Sequence, residues 1–226
     1  MREMDLKDVV LLYRLFEVIA GKFTKKNKDK KKRPVMTQSI ENIEEFIVSK
    51  TVFRKTTKEL FRIMKKHEFH KSSSVDSVYD IHWKNKYGRS NFSMLGEINL
   101  YSHTIDVMLE IIFKYEDKLP ERNLSTLLLI AQLHDFGKNY QISQKFKLED
   151  HEGHEDISAE FVESFFIRNQ KVQKEIGKEI IKVVYDSVKN HHNTSVETIW
   201  LKEFREADFT ARDKELKLIK RRVKGY

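Results

Sequence analysis

Apolar residues recur at three- and four-residue spacing along nearly the whole chain, which marks amphipathic helices. Between Asp5 and Phe23 the apolar set is Leu6, Val9, Val10, Tyr13, Phe16 and Ala20, with Lys7, Arg14 and Glu17 on the other side. This predicts one helix. A basic run follows as a linker and ends at Pro34. Ser39 is then placed to cap a helix striped by Ile40, Ile43, Phe46 and Ile47. The pattern continues or restarts over Thr56–Met64 with Leu60, Phe61 and Met64. Lys71–Phe92 differs: a serine triplet, Tyr79, Trp83, Tyr87 and Gly88 read as an irregular connection with a short hairpin around Asn85–Gly88. Beyond Ile98 helical spacing returns over about 97–118, 123–136, 154–169, 172–192 and 196–222, punctuated by Pro120, Gly137, Gly153 and His192-Asn193. The expected class is all-α, with no internal repeat, no parallel-sheet pattern and no glycine-rich phosphate loop.

Polar residues that fall on these apolar stripes are the informative ones. His103 shares its stripe with Leu100, Val107 and Ile111, while Tyr101, Ile105, Met108 and Ile112 cover the opposite face. A helix apolar nearly all round belongs in the core, and a histidine there needs a partner or a ligand. His134 and Asp135 end the run LLLIAQL, Leu127–Leu133. His154 lies on the stripe of Ile157, Ser158, Phe161 and Phe165; His191 and His192 follow Val184 and Val188, so that one or both face inward. Asp208 sits among Trp200, Phe204, Ala207 and Ala211. Its carboxylate is costly there unless a cation neutralises it, and Arg212 one turn on could be that cation. Taken one at a time, each has an ordinary structural reading. Together they are seven candidate ligands from five helices, and bundles build metal sites from facing helices in this way. Imidazole and carboxylate without thiolate suit Mn, Fe, Co, Ni or Zn rather than Ca.

Composition narrows the chemistry. The chain has 226 residues and no Cys, so disulfides and cysteine-based zinc sites are excluded. No stretch approaches the ~20 apolar residues of a membrane span. Val9–Ala20, broken by Arg14 and Glu17, does not read as a signal peptide. A cytoplasmic location is expected. The net charge of +8 suggests a polyanionic partner, but it is concentrated in two segments. Lys22–Arg33 has eight basic residues and one acid, and Arg212–Lys224 has seven basic and two acidic, so the remainder is net acidic. Such blocks are usually solvated loops or tails, yet they could bind nucleic acid. His67, His70 and His82 lie in polar surroundings and His151 reads as exposed. Trp83 and Tyr87 read as pinning a loop to the core rather than stacking bases.

The pattern His103 in LYSHTIDV, His134-Asp135 in LLLIAQLHDFGK and Asp208 in FREADFTARD resembles the H…HD…D signature of the HD superfamily of metal-dependent phosphohydrolases. The HDxGK form spans His134–Lys138. GHEDISAEF around His154 resembles a stretch in the HD domains of bacterial tRNA nucleotidyltransferases, and VKNHHN resembles the paired histidines of HD-type cyclic dinucleotide phosphodiesterases. No Gly-Tyr-Pro follows those histidines, and Asn99 rather than Glu stands one turn before His103.

The resemblance covers roughly 95–215. It implies a helical bundle of the HD type in 95–226, preceded by an N-terminal helical region, 1–94. It further implies one divalent transition metal on His103, His134, Asp135 and Asp208, with Asp135 bridging to a second on His154, His191 and His192; Mg is a further option. Lys138 would contact phosphate, as could Arg212, for which a place on the surface of the basic tail is the other reading. The implied activity is hydrolysis of a phosphoester of a nucleotide or nucleic acid by a metal-activated water. The alternative is a nucleic-acid or signalling-nucleotide binding module that keeps the metals with little turnover. The oligomeric state is open.

Overall fold

The computed structural model describes residues 35–75, 81–146 and 153–223, with side chains over 40–75, 83–146 and 153–221. The expected helix over Asp5–Phe23, the basic run to Arg33 and the side chains of His82 and His151 lie outside the described residues. Within them the chain is all-α. The helices are α1 (Val35–Ser49), α2 (Arg54–Lys66), α3 (Ile81–Leu95), α4 (Leu100–Tyr115), α5 (Glu121–Leu133), α6 (Tyr140–Phe146), α7 (His154–Arg168), α8 (Gln170–Ile176), α9 (Lys178–Lys189) and α10 (Ile199–Val223). Single 3-10 turns occupy Phe69–Lys71 and Phe136–Lys138. No helix among the described residues is long and apolar enough to cross a membrane.

Helix α4 is the axis of the bundle. Its apolar residues are buried from Leu100 to Ile112 and again at Tyr115, while Phe113 is exposed. It packs against α5 and α10, with α9 behind α5, α7 against α9, and α3 on α10. Ile43, Ile47, Phe53, Leu60 and Phe69 belong to the same buried cluster as Leu100, Leu127, Phe161 and Phe204. Helices α1 and α2 therefore extend the core that α4–α10 build. Helix α2 is tied down at its start, where Glu175 of α8 accepts from the Lys55 and Thr56 amides and the Thr56 hydroxyl. A carboxylate at a helix N-terminus meets amides that have no partner within the helix.

Four expectations are corrected. The first described helix spans Val35–Ser49, so Ser39 lies inside it rather than capping it. The supposed irregular connection contains α3, and no hairpin forms at Asn85–Gly88. Gly88, at φ 73° and ψ 161°, kinks that helix instead. Likewise the single helix expected over 172–192 is two, broken by Gly177 at φ 88° and ψ 150°. Both glycines occupy a backbone region essentially closed to side chains, and that conformation ends helical hydrogen bonding locally. Finally, the short α6 was not foreseen. It buries only Ile142 and is started by Asn139, whose Oδ1 accepts from the Ile142 amide. So little burial leaves almost no hydrophobic period to read.

Trp83 and Tyr87 do pin their segment. Their rings stack on each other and on Phe209 of α10, at 5.7–5.9 Å between centroids.

Candidate metal centre

All seven candidate ligands converge. His103, His134 and Asp208 offer atoms that lie within 4.8 Å of one another, and so do Asp135, His154, His191 and His192. Asp135 joins the two groups. Its Oδ2 lies 3.1 Å from His134 Nε2 and 3.9 Å from His103 Nε2. Its Oδ1 lies 3.2 Å from His154 Nε2 and 3.6 Å from His191 Nε2. His103 Nε2 is 3.1 Å from Asp208 Oδ1, and His192 Nε2 is 3.2 Å from His154 Nε2. His192 is half-buried; the other six are buried.

Each ligand is delivered by a local cause. His134 and Asp135 stand where α5 stops, and the 3-10 turn that follows is pressed against the start of α7. A Cβ at Gly137 would overlap the His154 carbonyl oxygen. In that tight space the Gly137 amide donates to Ser158 Oγ, which in turn donates to the His154 carbonyl, each at 2.8 Å. The HDxGK glycine thus lets the turn carrying Asp135 touch the helix that carries His154. Phe204 closes the apolar side, with its ring 5.0 Å from that of His134.

The turn after α9, which presents His191 and His192, is gripped by Arg205. Its guanidinium donates to the carbonyls of His191, Val196, Asn190 and Asn193 at 2.6–3.0 Å. Sequence reasoning missed Arg205; an arginine on a helix rich in charge has no distinguishing mark.

The donor set fits divalent cations. His134 Nδ1 lies 2.8 Å from the Ala131 carbonyl, His191 Nδ1 2.6 Å from the Val188 carbonyl, and His103 Nδ1 2.9 Å from Glu215 Oε1. Those partners only accept, so each ring donates from Nδ1 and turns Nε2 inward, toward the cluster. At the other end, Nε2 of His103, His134 and His191, Oδ1 of Asp135 and Oδ1 of Asp208 are buried without an aligned hydrogen bond. Buried acceptors that face one another in this way call for a cation between them.

Burial pushes the His134 pKa down, which keeps that ring neutral. Burial opposes ionisation of Asp135, yet His134 and Lys138 beside it hold its carboxyl well below the usual carboxylate range. For Asp208, too, burial opposes ionisation, and His103, His134 and Arg212 outweigh it.

Two cations flank the centre. Lys138 Nζ is 3.0 Å from Asp135 Oδ2 and donates to the Ser74 carbonyl at 3.3 Å. Arg212 is no surface residue of a tail: it is 1% exposed. Its Nη2 donates to the same Ser74 carbonyl at 2.6 Å and lies 3.8 Å from Asp135 Oδ2, and its Nη1 donates to Ser74 Oγ at 2.7 Å. Ser74 is itself fastened by main-chain bonds to the start of α4, Ser74 N to Ile98 O and Leu100 N to Ser72 O. Ser74 and Glu215 were not foreseen, the first in a serine triplet and the second in a charged run. Asn99, where a Glu could have stood, caps α4 by accepting from the Ser102 amide. Of the remaining histidines, His67 is half-buried with Nδ1 3.0 Å from Gln141 Oε1, and His70 is exposed.

Fold and centre together define a helical bundle with a buried His/Asp cluster at its middle. The HD domain family matches residues 100–222, and the chain belongs to that family of metal-dependent phosphohydrolases. No characterised protein and no solved structure gives a significant match to the chain.

Proposed function

We propose that this protein hydrolyses a phosphoester of a nucleotide or nucleic acid at a centre of two divalent transition metals. One ion would be held by His103, His134, Asp135 and Asp208, the other by Asp135, His154, His191 and His192. The observation that carries this reading is Asp135, whose two oxygens face the two separate ligand groups. Bound divalent ions supply Lewis acidity toward the phosphoryl group and make a water acidic enough to ionise near neutral pH.

The chain's own residues do the rest. The ionised Asp135 and Asp208 and the neutral imidazole of His134 offer lone pairs without first losing a proton. Lys138 and Arg212, both drawn to the Ser74 carbonyl, place positive charge beside Asp135. There they can receive the non-bridging phosphoryl oxygens and stabilise the charge that grows on them. Nothing in these contacts requires a reacting base, so binding and orientation of the phosphate are their work.

Part of the C-terminal basic charge is turned inward or paired. The C-terminal basic run turns Arg212 and Glu215 inward, and it pairs Lys214 with Glu110 and Lys217 with Asp213. Lys220 and Arg221 of the same run stay exposed. Nucleic-acid binding through this run and the segment 22–33 would show as an affinity falling steeply with salt.

The test is metal analysis of the purified protein, together with hydrolysis of a generic phosphodiester and a nucleotide panel in Mn²⁺. The expected result is metal in the wild type, and loss of metal and turnover together in Asp135→Ala. Unchanged hydrolysis in Asp135→Ala would sink the reading. Metal retained with no turnover on any substrate would favour a binding module instead.

A further inference from the structure

His103 is held differently from His134 and His191. His134 and His191 rest Nδ1 on main-chain carbonyls of their own helices, three residues back. The Nδ1 of His103 meets a side chain from another helix: Glu215 Oε1, 2.9 Å away, on α10. Glu215 has no exposed surface. Its second oxygen, Oε2, lies 3.4 Å from Arg212 Nη1. A fully buried carboxylate is costly unless its charge is used. Here it is shared between an imidazole that faces the metal cluster and a guanidinium that reaches Asp135.

The spacing makes this possible. Asp208, Arg212 and Glu215 follow one another at four and three residues, so they rise up one face of α10 against α4. Asp208 meets His103 at Nε2, and Glu215 meets the same ring at Nδ1. The ring is thus clamped end to end by one helix. A carboxylate that accepts the outer N–H of a ligating imidazole fixes its tautomer and orientation and raises its basicity more than a carbonyl does.

We infer that Glu215 is a positioning residue of the centre: by accepting the Nδ1–H of His103 it sets metal affinity at the His103–His134–Asp208 position. This rests on the reading that His103 is a ligand. The competing role is a purely structural ion pair with Arg212. The two differ in what they move, since a structural pair affects unfolding but leaves the metal affinity of the folded protein alone.

The experiment is calorimetric titration of the chelator-stripped full-length protein with Mn²⁺, for wild type, Glu215→Gln, Glu215→Leu and His103→Ala. It is paired with proton NMR of the ¹⁵N-histidine-labelled, Zn²⁺-loaded protein. The expected spectrum has a low-field Nδ1–H resonance from His103, absent in His103→Ala and shifted in Glu215→Gln. The expected titration has one binding step weakened 10–100-fold in Glu215→Leu. Glu215→Gln, which keeps an acceptor oxygen without the charge, should recover part of that loss. The other step should stay at its wild-type value.

If His103→Ala leaves every binding step intact, the ligand reading itself fails. If His103→Ala removes a step while both Glu215 variants bind Mn²⁺ like the wild type, Glu215 is only structural and the inference is overturned. Should Glu215→Leu not fold, Glu215→Gln and the wild-type spectrum still decide: an Nε2–H proton on His103 overturns it as well.

Discussion

Arg205 holds four carbonyl oxygens of one turn with a single guanidinium, and that turn carries two of the candidate ligands. Hydrogen bonds from a charged donor contribute about 1.5–3 kcal/mol. Arg205→Ala should lower stability by about that amount in urea unfolding and should weaken metal binding through His191 and His192. Arg205→Lys should rescue little, because an ammonium cannot span four acceptors spread around a planar fork. Lys138 is a different case. Lys138→Met should keep metal content near the wild type while kcat falls about 10²–10³-fold, the scale of a lost charge-stabilising donor. Loss of metal in step with activity would instead make Lys138 a support for Asp135. At this scale the sequence was informative wherever a polar residue interrupted an apolar stripe. His103, His134, Asp135, His154 and Asp208 stood out because burial of such groups demands a reason. Glu215, Arg205 and Ser74 did not, because charged and hydroxyl residues among their own kind are solvated by default. Only the packing of α10 on α4 turned Glu215 inward.

Two glycines separate helix geometry from site geometry. Gly177 divides α8 from α9 at a φ of 88°, and an added Cβ would find ordinary space, 3.6 Å from Arg122 Nη2. Gly177→Ala should therefore cost only backbone strain, about 1–3 kcal/mol, with metal content unchanged. Gly137 has ordinary φ but no room, since a Cβ would press on the His154 carbonyl and come within 3.0 Å of Ile157 Cβ. Gly137→Ala must push the start of α7 away from Asp135, at an overpacking cost of about 1–3 kcal/mol. It should lower stability and metal content together, measured by unfolding and by metal analysis of the folded fraction. The helices themselves were legible in outline: α4, α5, α7 and α10 lie within a few residues of their hydrophobic periods. Where the reading failed, a glycine had broken a continuous stripe, as at Gly177, or burial was too slight to leave a period, as in α6.

Taken whole, the centre is a junction of α4, the end of α5, the start of α7, the turn after α9 and the middle of α10. The 72–75 segment completes it from outside the family match. Several buried lone pairs with no protein donor face one another there, so the folded state should gain from a bound cation. At a metal concentration 100 times the Kd the gain is about 2.7 kcal/mol, which for a chain of this length is roughly 5–10 °C in Tm. Stripping with a chelator should lower Tm by about that much, and Mn²⁺ should restore it. A Tm indifferent to chelator would mean that the cluster does not bind metal in the folded protein.

The sequence alone determined the helical class, the central place of α4, and the residue types and spacing of an H…HD…D centre without thiolate. It could do so because periodicity and the cost of burying polar groups are local properties of a chain. Tertiary structure decided what depends on distant segments meeting: that Asp135 shows one oxygen to each ligand group, that Arg212 belongs to the interior rather than to a basic tail, and that Ser74 gathers both cations. It also decided that Glu215 backs His103. Partners 60 to 140 residues apart are joined only by the packing of α10 and the 72–75 segment onto α4, and no local pattern records that contact.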